Sequence, residues 1–407
     1  MEKLLLSFLG TGNYQEVRYR FRKQASDPTR LSAAAIGSFF RDYQPVILTT
    51  KEAYEKNWPL VVESFDRLEL PSPYHLDIPS GRSEAEIWEI VEILVGYLTE
   101  RDAGAEHPVI LDITHGFRAQ PLLVFITVGL LEEMQYVRVE NVLYGAFEAR
   151  DEKGVAPIFD LRPLLDLGAW SRALGDLRRY GYATPLRSLL REASRRAYSG
   201  NTRYKPRGLV GLGDSLENIA RALAALRPIQ THIEAKMLPK KLEVAKEDLE
   251  HLPELRPLAP FLNASLSRYV ELGVGEQLAS EEGLVALARM IELYLDLEQY
   301  PQAVTLAREA LITLRCLDVG TDPFNSNARR AAESEVSAAE TILRLGGKLT
   351  AEDIKRYADV WQELADLRND VDHAGFRSSP RDARGVKKQA LTVCSKVVRW
   401  LEERALG

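Results

Sequence analysis

Short apolar runs alternate with helical patterns over the first 160 residues of the chain. Apolar positions three and four residues apart predict helices over Ser83–Leu98 and Pro121–Glu133. Runs of β-branched and aliphatic residues predict strands at Leu4–Leu9, Val46–Thr50, Tyr74–Ile78, Val109–Thr114 and Val137–Tyr144. Because strands alternate with helices of this length, we expect an α/β fold with a mostly parallel sheet covered on both faces.

The segment after the first strand alternates between polar and apolar residues from Gln15 to Phe21. A period of two is typical of a strand, so the turn that follows the first strand is predicted to enter another strand and not a helix.

Beyond about residue 165 the apolar positions follow helical spacing almost throughout. A glycine-rich break at Ser199–Gly213 predicts a mobile loop within this half. We therefore divide the chain into an α/β domain (1–160), a helical linker region with a basic loop (161–230) and an all-α C-terminal domain (231–407). The predicted long helices include Leu284–Leu297, Ala303–Leu317, Ala332–Leu345, Ile354–Leu367 and Lys387–Leu406.

Composition limits the kinds of protein that the chain can be. Its 407 residues exceed one hydrophobic core, and its net charge of -6 provides no overall attraction to nucleic acid, so any RNA contact has to be local. Two cysteines, Cys316 and Cys394, indicate a reducing compartment and not a disulfide framework. The apolar start carries Glu2 and lacks a cleavage site, and the longest apolar stretch, Leu122–Leu131, is too short to span a bilayer. We expect a cytoplasmic protein.

A polar motif near the end of the helical half, from Arg368 to His373, carries residue types that cleave RNA without a metal. On a helix Asn369 and His373 share a face and Arg368 projects beside them, so their tips can converge on one phosphate. Gly375 indicates that the helix ends just beyond, which places His373 in the last turn, where the macrodipole stabilises an imidazolium. The alternative is an ion pair of Arg368 with Asp372 and a histidine that only occupies the helix terminus.

Two loops of the first domain carry polar chemistry at the ends of predicted strands. In the loop Gly10–Tyr14 the glycines let backbone N–H groups approach a phosphate, while Thr11 and Asn13 offer hydrogen bonds. As a dinucleotide-binding fingerprint this loop is incomplete, because Gln15 stands where a third glycine belongs, and a tight turn is the alternative.

The second loop, Asp112–Arg118, contains the donors Thr114, His115 and Arg118. Its strand ends at the same sheet edge as the first, an arrangement that suits a polyanionic nucleotide. The alternative is that Asp112 caps a neighbouring helix and that His115 satisfies buried backbone groups.

The glycine-rich break is also basic and aromatic, a mixture that suits phosphates and stacked bases. A solvated loop is the alternative. The residues concerned are Arg195, Arg196, Tyr198, Arg203, Tyr204, Lys205 and Arg207.

The sequences GTGNY, DITHGFR and RNDVDH, in this order, resemble the CARF-HEPN ribonucleases associated with type III CRISPR systems. The first two match loops of the CARF domain, and the third matches the R-x4-6-H signature of HEPN domains. Residues 165–280 match no motif of the family. The resemblance implies a Rossmann-like, CARF-like domain that binds a cyclic oligoadenylate, with cyclic tetra-adenylate as the expected ring, and a HEPN-like all-α domain that cleaves single-stranded RNA across a homodimer.

The resemblance also implies roles for individual residues. Arg368 and Asn369 would orient and stabilise the scissile phosphate, and His373 would be the general acid or base. The activator pocket would be formed by Gly10, Thr11, Gly12, Asn13, Thr114, His115, Gly116 and Arg118.

No P-loop, HExxH motif or paired-cysteine site is present in the sequence, so we predict no metal or other cofactor besides the activator. Other functions stay open: a non-catalytic nucleotide sensor with an interaction module, a sensor that degrades its own ligand, and, as the weakest, a nicotinamide-dependent enzyme. The histidines outside the motifs are expected to be structural: His75, His107, His232 and His251.

Overall fold

The protein is described by a computed structural model that covers residues 3–100, 108–116, 119–199, 204–349, 352–376 and 378–406. It separates into two compact units, Met1–Gly168 and Ala169–Gly407. Each unit has its own hydrophobic core.

The first unit contains a mixed sheet of eight described strands. Their order across the sheet is β3-β2-β8-β7-β6-β1-β4-β5. The five strands from β7 to β5 are mutually parallel, and β8 is antiparallel to β7. Beyond β8, β2 is parallel to β8 and β3 is antiparallel to β2. The α/β class is confirmed. The strands are β1 (Lys3–Leu9), β2 (Arg18–Phe21), β3 (Gln24–Ala25), β4 (Tyr43–Thr49), β5 (Tyr74–Asp77), β6 (Pro108–Asp112), β7 (Arg138–Gly145) and β8 (Val155–Asp160).

The central strand β1 is buried on both faces, as its unbroken apolar run requires. Leu4 and Leu6 enter a core that contains residues of α3 (Glu84–Thr99) and α4 (Gln120–Glu133). Leu5 and Leu9 enter cores on the opposite face, which contain residues of α1 (Ser32–Phe39) and α2 (Lys51–Arg67). Ser7 also lies on this opposite face, because side chains alternate along a strand.

The segment after β1 confirms the predicted second strand. Arg18 and Arg20 of β2 are exposed, whereas Tyr19 and Phe21 are buried. In contrast, the sequence patterns did not predict α1, α2 or β8. In α1 the small residues Ala33 to Ala35 are buried with Ile36, so the helix lacks the polar face that would reveal its period.

Helix α4 is apolar on its inner and its outer face. Val124 and Val128 are buried, while an outer row at intervals of four residues is largely exposed: Leu122, Ile126, Leu130 and Met134. Among the helices in the described part of the chain, none combines the length and the apolar character needed to cross a membrane.

From residue 162 onward the described chain is helical. The core of the second unit is continuous from Trp170 to Leu401 and includes residues of every long helix in the unit. These helices are α5 (Arg162–Tyr180), α6 (Thr184–Ser199), α7 (Leu209–Ala224), α8 (Pro228–His251), α9 (Ala259–Val270), α10 (Gly283–Asp296), α11 (Tyr300–Asp318), α12 (Ser326–Arg344), α13 (Glu352–Asp372) and α14 (Ala383–Leu406).

The predicted mobile loop at Ser199–Gly213 is wrong in extent, because Gly211 and Gly213 lie inside α7. Close packing explains two of its glycines. A Cβ on Gly208 would lie 2.4 Å from the backbone nitrogen of Ala245, and one on Gly213 would lie 3.2 Å from Cα of Arg187. Glycines that allow helices to approach one another resemble loop glycines in a single sequence.

The start of α7 is held by the buried carboxylate of Asp248 in α8. This carboxylate accepts the backbone N–H groups of Arg207, Gly208 and Leu209 at 2.6 to 3.1 Å, and the Tyr204 hydroxyl at 2.7 Å. A side chain from another helix therefore caps α7, with the charge that a helix N-terminus favours.

Candidate functional site

The buried carboxylate of Asp112, at the end of β6, joins four parts of the first unit. Its Oδ2 accepts hydrogen bonds from the hydroxyls of Ser7 in β1, at 2.6 Å, and Ser32 at the start of α1, at 2.8 Å. Its Oδ1 accepts the backbone N–H of Thr114 at 3.0 Å and the Thr114 hydroxyl at 2.6 Å. Since charge-assisted hydrogen bonds are strong, Asp112 fixes the loop after β6 against β1 and α1.

Thr114 extends this network to the next strand. Its hydroxyl oxygen accepts the N–H of Gly145, at the end of β7, at 2.8 Å. A Cβ on Gly145 would lie 2.8 Å from the ring of Tyr19, so a glycine at this position leaves room for that ring. The Thr114 hydroxyl therefore both donates and accepts within the protein, and it positions the loop.

The loop after β1 is held by two side chains outside the glycine motif. The Tyr14 hydroxyl accepts the N–H of Gly10 at 2.8 Å and lies 3.0 Å from its carbonyl oxygen. The buried amide of Asn57, in α2, donates to the carbonyls of Gly10 and Gly12 at 2.8 and 3.1 Å. These contacts fix the backbone of a loop whose outer residues are exposed.

Thr11, Gly12 and Asn13 form the exposed part of this loop. The ammonium group of Lys56, also in α2, donates to the carbonyl of Thr11 at 2.6 Å and to Oδ1 of Asn13 at 3.1 Å. A cation thus lies beside the two residues that were predicted to bind a phosphate. No sequence motif indicated Lys56, because it lies on a helix 43 residues from Asn13.

His115 brings the two loops together. Its ring centroid lies 4.5 Å from that of Tyr14, and a Cβ on Gly10 would lie 3.2 Å from its carbonyl oxygen. Its Nε2 accepts the backbone N–H of Ser32 at 3.3 Å. Burial lowers the pKa of His115 from its ordinary value of 6.5, and the Coulombic effect of Asp112 opposes this shift only in part. At neutral pH the imidazole is therefore uncharged, with its proton on Nδ1.

Gly116 is required by packing at the entrance to α4, because a Cβ there would lie 2.1 Å from the ring of Pro121. Arg118, the remaining residue of the predicted pocket, lies outside the described residues.

The second group of predicted residues lies at the end of α13. Arg368 forms an ion pair with Asp372 at 3.0 Å, which is the contact of the structural alternative. Asn369 and His373 are exposed. His373 was predicted in the last turn of the helix but is the first residue past its end, and its N–H donates to the carbonyl of Asn369 at 3.2 Å.

The loop after His373 folds back onto α13. Ala374 and Gly375 have φ values of 49° and 75°, and the N–H of Gly375 donates to the carbonyl of Asp370 at 2.9 Å. The buried carboxylate of Asp370 accepts the N–H of Arg381 at 3.0 Å and contacts its guanidinium at 3.4 Å. Asp370 of the motif therefore anchors the loop, and His373 lies at the surface of this loop.

Phe376 lies three residues beyond His373 and is 90% exposed, with its N–H donated to the His373 carbonyl at 2.8 Å.

Across the described parts of both units, no three or more histidine, cysteine or acidic side chains are grouped so that they could hold a metal ion.

The described part of the basic loop is largely engaged within the protein. Arg195 pairs with Glu192 at 2.7 Å, and Tyr204 stacks on His251 with ring centroids 4.4 Å apart. Lys205 donates to the carbonyls of residues 197 and 198. Arg203 lies outside the described residues.

The chain is similar to a protein that is named as CRISPR-associated. It is 30% identical over 113 residues to CRISPR-associated protein MJ1674 of Methanocaldococcus jannaschii, a match that spans 28% of this chain and 18% of that protein. The predicted similarity to CRISPR-associated proteins is thereby confirmed. No known family profile matches the sequence.

Among solved structures, Enterococcus italicus Csm6 bound to cyclic hexa-2'-fluoro-hexa-dAMP aligns with 99% of this chain and 95% of its own. The sequence identity is 12% and the TM-score is 0.49.

We predict that Asp112→Ala destabilises the first unit by ~2–4 kcal/mol, because it leaves the donors of Ser7, Ser32 and Thr114 without their buried acceptor. Hydrogen exchange of the β1 and β6 amides measures this loss. The surface variant Asp42→Ala, which removes an exposed ion pair with Lys3, is the control and should leave these amides protected. Equal protection in both variants would refute a structural role for the Asp112 carboxylate.

The lowered pKa of His115 predicts that the first unit loses stability in acid. Below the ordinary value of 6.5 the unfolded chain binds a proton that the folded site resists, so unfolding becomes more favourable as the pH falls. His115→Gln keeps an acceptor for the Ser32 N–H but does not titrate. Protection of the β6 amides, measured from about pH 8 to about pH 5, should therefore decline less in this variant than in the wild type. An identical decline would contradict the assignment.

Proposed function

We propose that the chain is a cyclic-oligoadenylate-activated endoribonuclease of type III CRISPR antiviral defence that cleaves single-stranded RNA without a metal. The observation that carries the proposal is the placement of the half-buried Arg368 and the exposed Asn369 and His373 around the end of α13. The similarity to a CRISPR-associated protein supports the proposed role in CRISPR defence. On this proposal the first unit is a CARF-like sensor and the second a HEPN-like nuclease.

The side chains at the end of α13 match the needs of cleavage by the RNA's own 2'-hydroxyl. That oxygen loses a proton as it bonds to phosphorus, and the bond from phosphorus to the 5'-oxygen breaks as this oxygen gains a proton. An imidazole can transfer one of these protons, and a guanidinium can stabilise the charge on the phosphoryl oxygens. The product ends are a 2',3'-cyclic phosphate and a 5'-hydroxyl.

For Arg368 to bind the phosphate it has to leave Asp372 or contact both groups. The ion pair is on the surface, with both side chains about two-fifths exposed, so it is weak enough for an RNA phosphate to compete with it. Until the substrate arrives, Asp372 can hold the guanidinium in place at the end of α13.

The activator would bind at the sheet edge formed by the loops after β1 and β6. Lys56 and the exposed Thr11 and Asn13 offer charge and hydrogen bonds to a polyanion there. The neutral His115 offers its Nδ1 proton. The ring size, with cyclic tetra-adenylate as our prediction, follows from the family resemblance alone.

A homodimer would supply both proton transfers from one motif. An isologous interface brings identical residues together at its axis, so two copies of His373 can face one phosphate. The exposed row on α4, which contains Ile126 and Leu130, is the kind of apolar surface that a second subunit covers.

A non-catalytic sensor is the second candidate, and the Arg368–Asp372 ion pair is the observation that favours it. Degradation of the ligand by His115 is disfavoured as a third. Its Nε2 lone pair already accepts the Ser32 N–H, so this tautomer can donate a proton but not remove one.

We expect His373→Ala to reduce activator-dependent RNA cleavage by at least about 100-fold, because a general acid or base contributes that much. Cleavage by the wild type should persist in excess EDTA, and end analysis should find 2',3'-cyclic phosphates. A requirement for a divalent ion would show that the proposed mechanism is wrong.

Three further variants separate the sites in the same assay. His251→Ala, at another exposed histidine of the second unit, should cleave RNA normally. Lys56→Ala should raise the activator concentration needed for half-maximal cleavage, whereas Lys23→Ala, at an exposed lysine in the turn between β2 and β3, should not. A wild type that binds the activator but never cleaves RNA would favour the sensor.

Mixed dimers of wild-type and His373→Ala chains should retain far less than half the wild-type activity if the two subunits share one site. Ile126→Asp, which places a charge in the exposed row of α4, should yield monomers in sedimentation and abolish cleavage. Half activity in the mixed dimers, or an active monomer, would rule out the shared site.

A further inference from the structure

We propose that the turn between α5 and α6 is an RNA-stacking platform that guides single-stranded RNA toward His373. The platform consists of Arg178, Arg179, Tyr180 and Tyr182. This inference rests on the proposed function and adds where the second unit binds its substrate outside the catalytic motif.

Two tyrosines of this turn are more than half exposed. Tyr180 is 63% exposed and Tyr182 is 54% exposed, although they flank Gly181, which packs against Leu297. Gly181 has a φ of 68°, and its N–H donates to the carbonyl of Leu177 while that of Tyr182 donates to Asp176, which ends α5. The turn is thus rigid in its backbone and aromatic on its surface, a combination that suits base stacking.

The adjacent arginines are available to a ligand. Arg178 and Arg179 are exposed, and the structure places no described carboxylate within ion-pair distance of either. The neighbouring arginines of α6 differ, since Arg187 and Arg191 both bind Asp214, at 2.6 and 2.9 Å. Two exposed guanidinium groups beside two open rings form a local cationic surface on a chain of negative net charge.

A series of contacts places this turn at the same end of the helical unit as His373. Gly181 packs on Leu297, at the end of α10. The next residue, Glu298, pairs with Lys387 in the first turns of α14 at 2.5 Å. Helix α14 begins directly after the loop that Arg381 anchors to α13.

Exposed Phe376 extends the aromatic surface at the catalytic end of this series. Its backbone N–H donates to the His373 carbonyl, which places an exposed aromatic residue close in the loop to the proposed catalytic histidine. Because every base has a π-face, such a track binds RNA with little sequence preference. Single-stranded RNA, and not a duplex, is the ligand that fits, since stacking requires unpaired bases.

The test measures binding of a fluorescent single-stranded RNA. All chains carry His373→Ala, so that the RNA is not cleaved during the measurement. Tyr180→Ala and Tyr182→Ala should each raise the Kd roughly 5- to 100-fold, whereas Tyr180→Phe and Tyr182→Phe should stay within about twofold of the parent. Phe261→Ala is the matched control, because Phe261 is 63% exposed in the same unit but has no neighbouring arginine in the sequence. It should not change the Kd.

Replacing Arg178 and Arg179 by Gln should reduce the slope of log K against log salt by about 0.7 for each phosphate that these arginines neutralise. Unchanged RNA affinity in the tyrosine-to-alanine variants would overturn the platform while leaving activated cleavage by the wild type intact. Loss of the dimer in those variants would overturn it too, since the rings would then serve subunit contact. RNA binding that depends on the tyrosines in a wild type that never cleaves would retain the platform and reject the nuclease.

Discussion

The candidate activator site depends on one buried carboxylate. Asp112 accepts four hydrogen bonds, from Ser7, Ser32 and twice from Thr114, and so fixes the ends of β1 and β6, the start of α1 and the loop that carries His115. A buried charge is tolerated only when its hydrogen bonds are satisfied, so these donors are as constrained as the acid itself. The exposed residues Thr11 and Asn13 can offer polar groups to a ligand because the amide of Asn57 holds the backbone of their loop.

In the helical unit, too, buried carboxylates accept backbone hydrogen bonds, at two places. Asp248 accepts three backbone N–H groups at the start of α7, and Asp370 binds Arg381 to close the loop behind α13. In both places a buried acid orders backbone that would otherwise lack partners, and the residues beside it stay at the surface. For His373 the consequence is an exposed imidazole on a backbone whose loop is anchored to α13, which suits the contact with RNA that we propose.

Regular periodicity in the sequence predicted the strands and helices whose buried positions repeat at a constant spacing. The strands β1, β4 and β6 and the long helices α10, α11 and α14 were recognised within a few residues, because an unbroken apolar run or a stripe at helical spacing repeats over their length. The sequence patterns did not reveal α1, because its buried alanines do not alternate with polar residues at helical spacing. They also placed Gly211 and Gly213 in a loop. Packing against other helices, which no local pattern records, decides both cases.

The sequence by itself determined the chemistry that this protein can offer: a glycine loop after β1, a histidine loop after β6, and an arginine, an amide and an imidazole within six residues. Only the tertiary structure decided which of these groups already form hydrogen bonds within the protein. Thr114 and the Nε2 of His115 are used inside the protein, Lys56 joins the first loop from a distant helix, and Asp370 anchors where it had no assigned role. The physical reason is that hydrogen-bond partners come from residues far apart in the chain, so the availability of a polar group is a property of the fold and not of the motif.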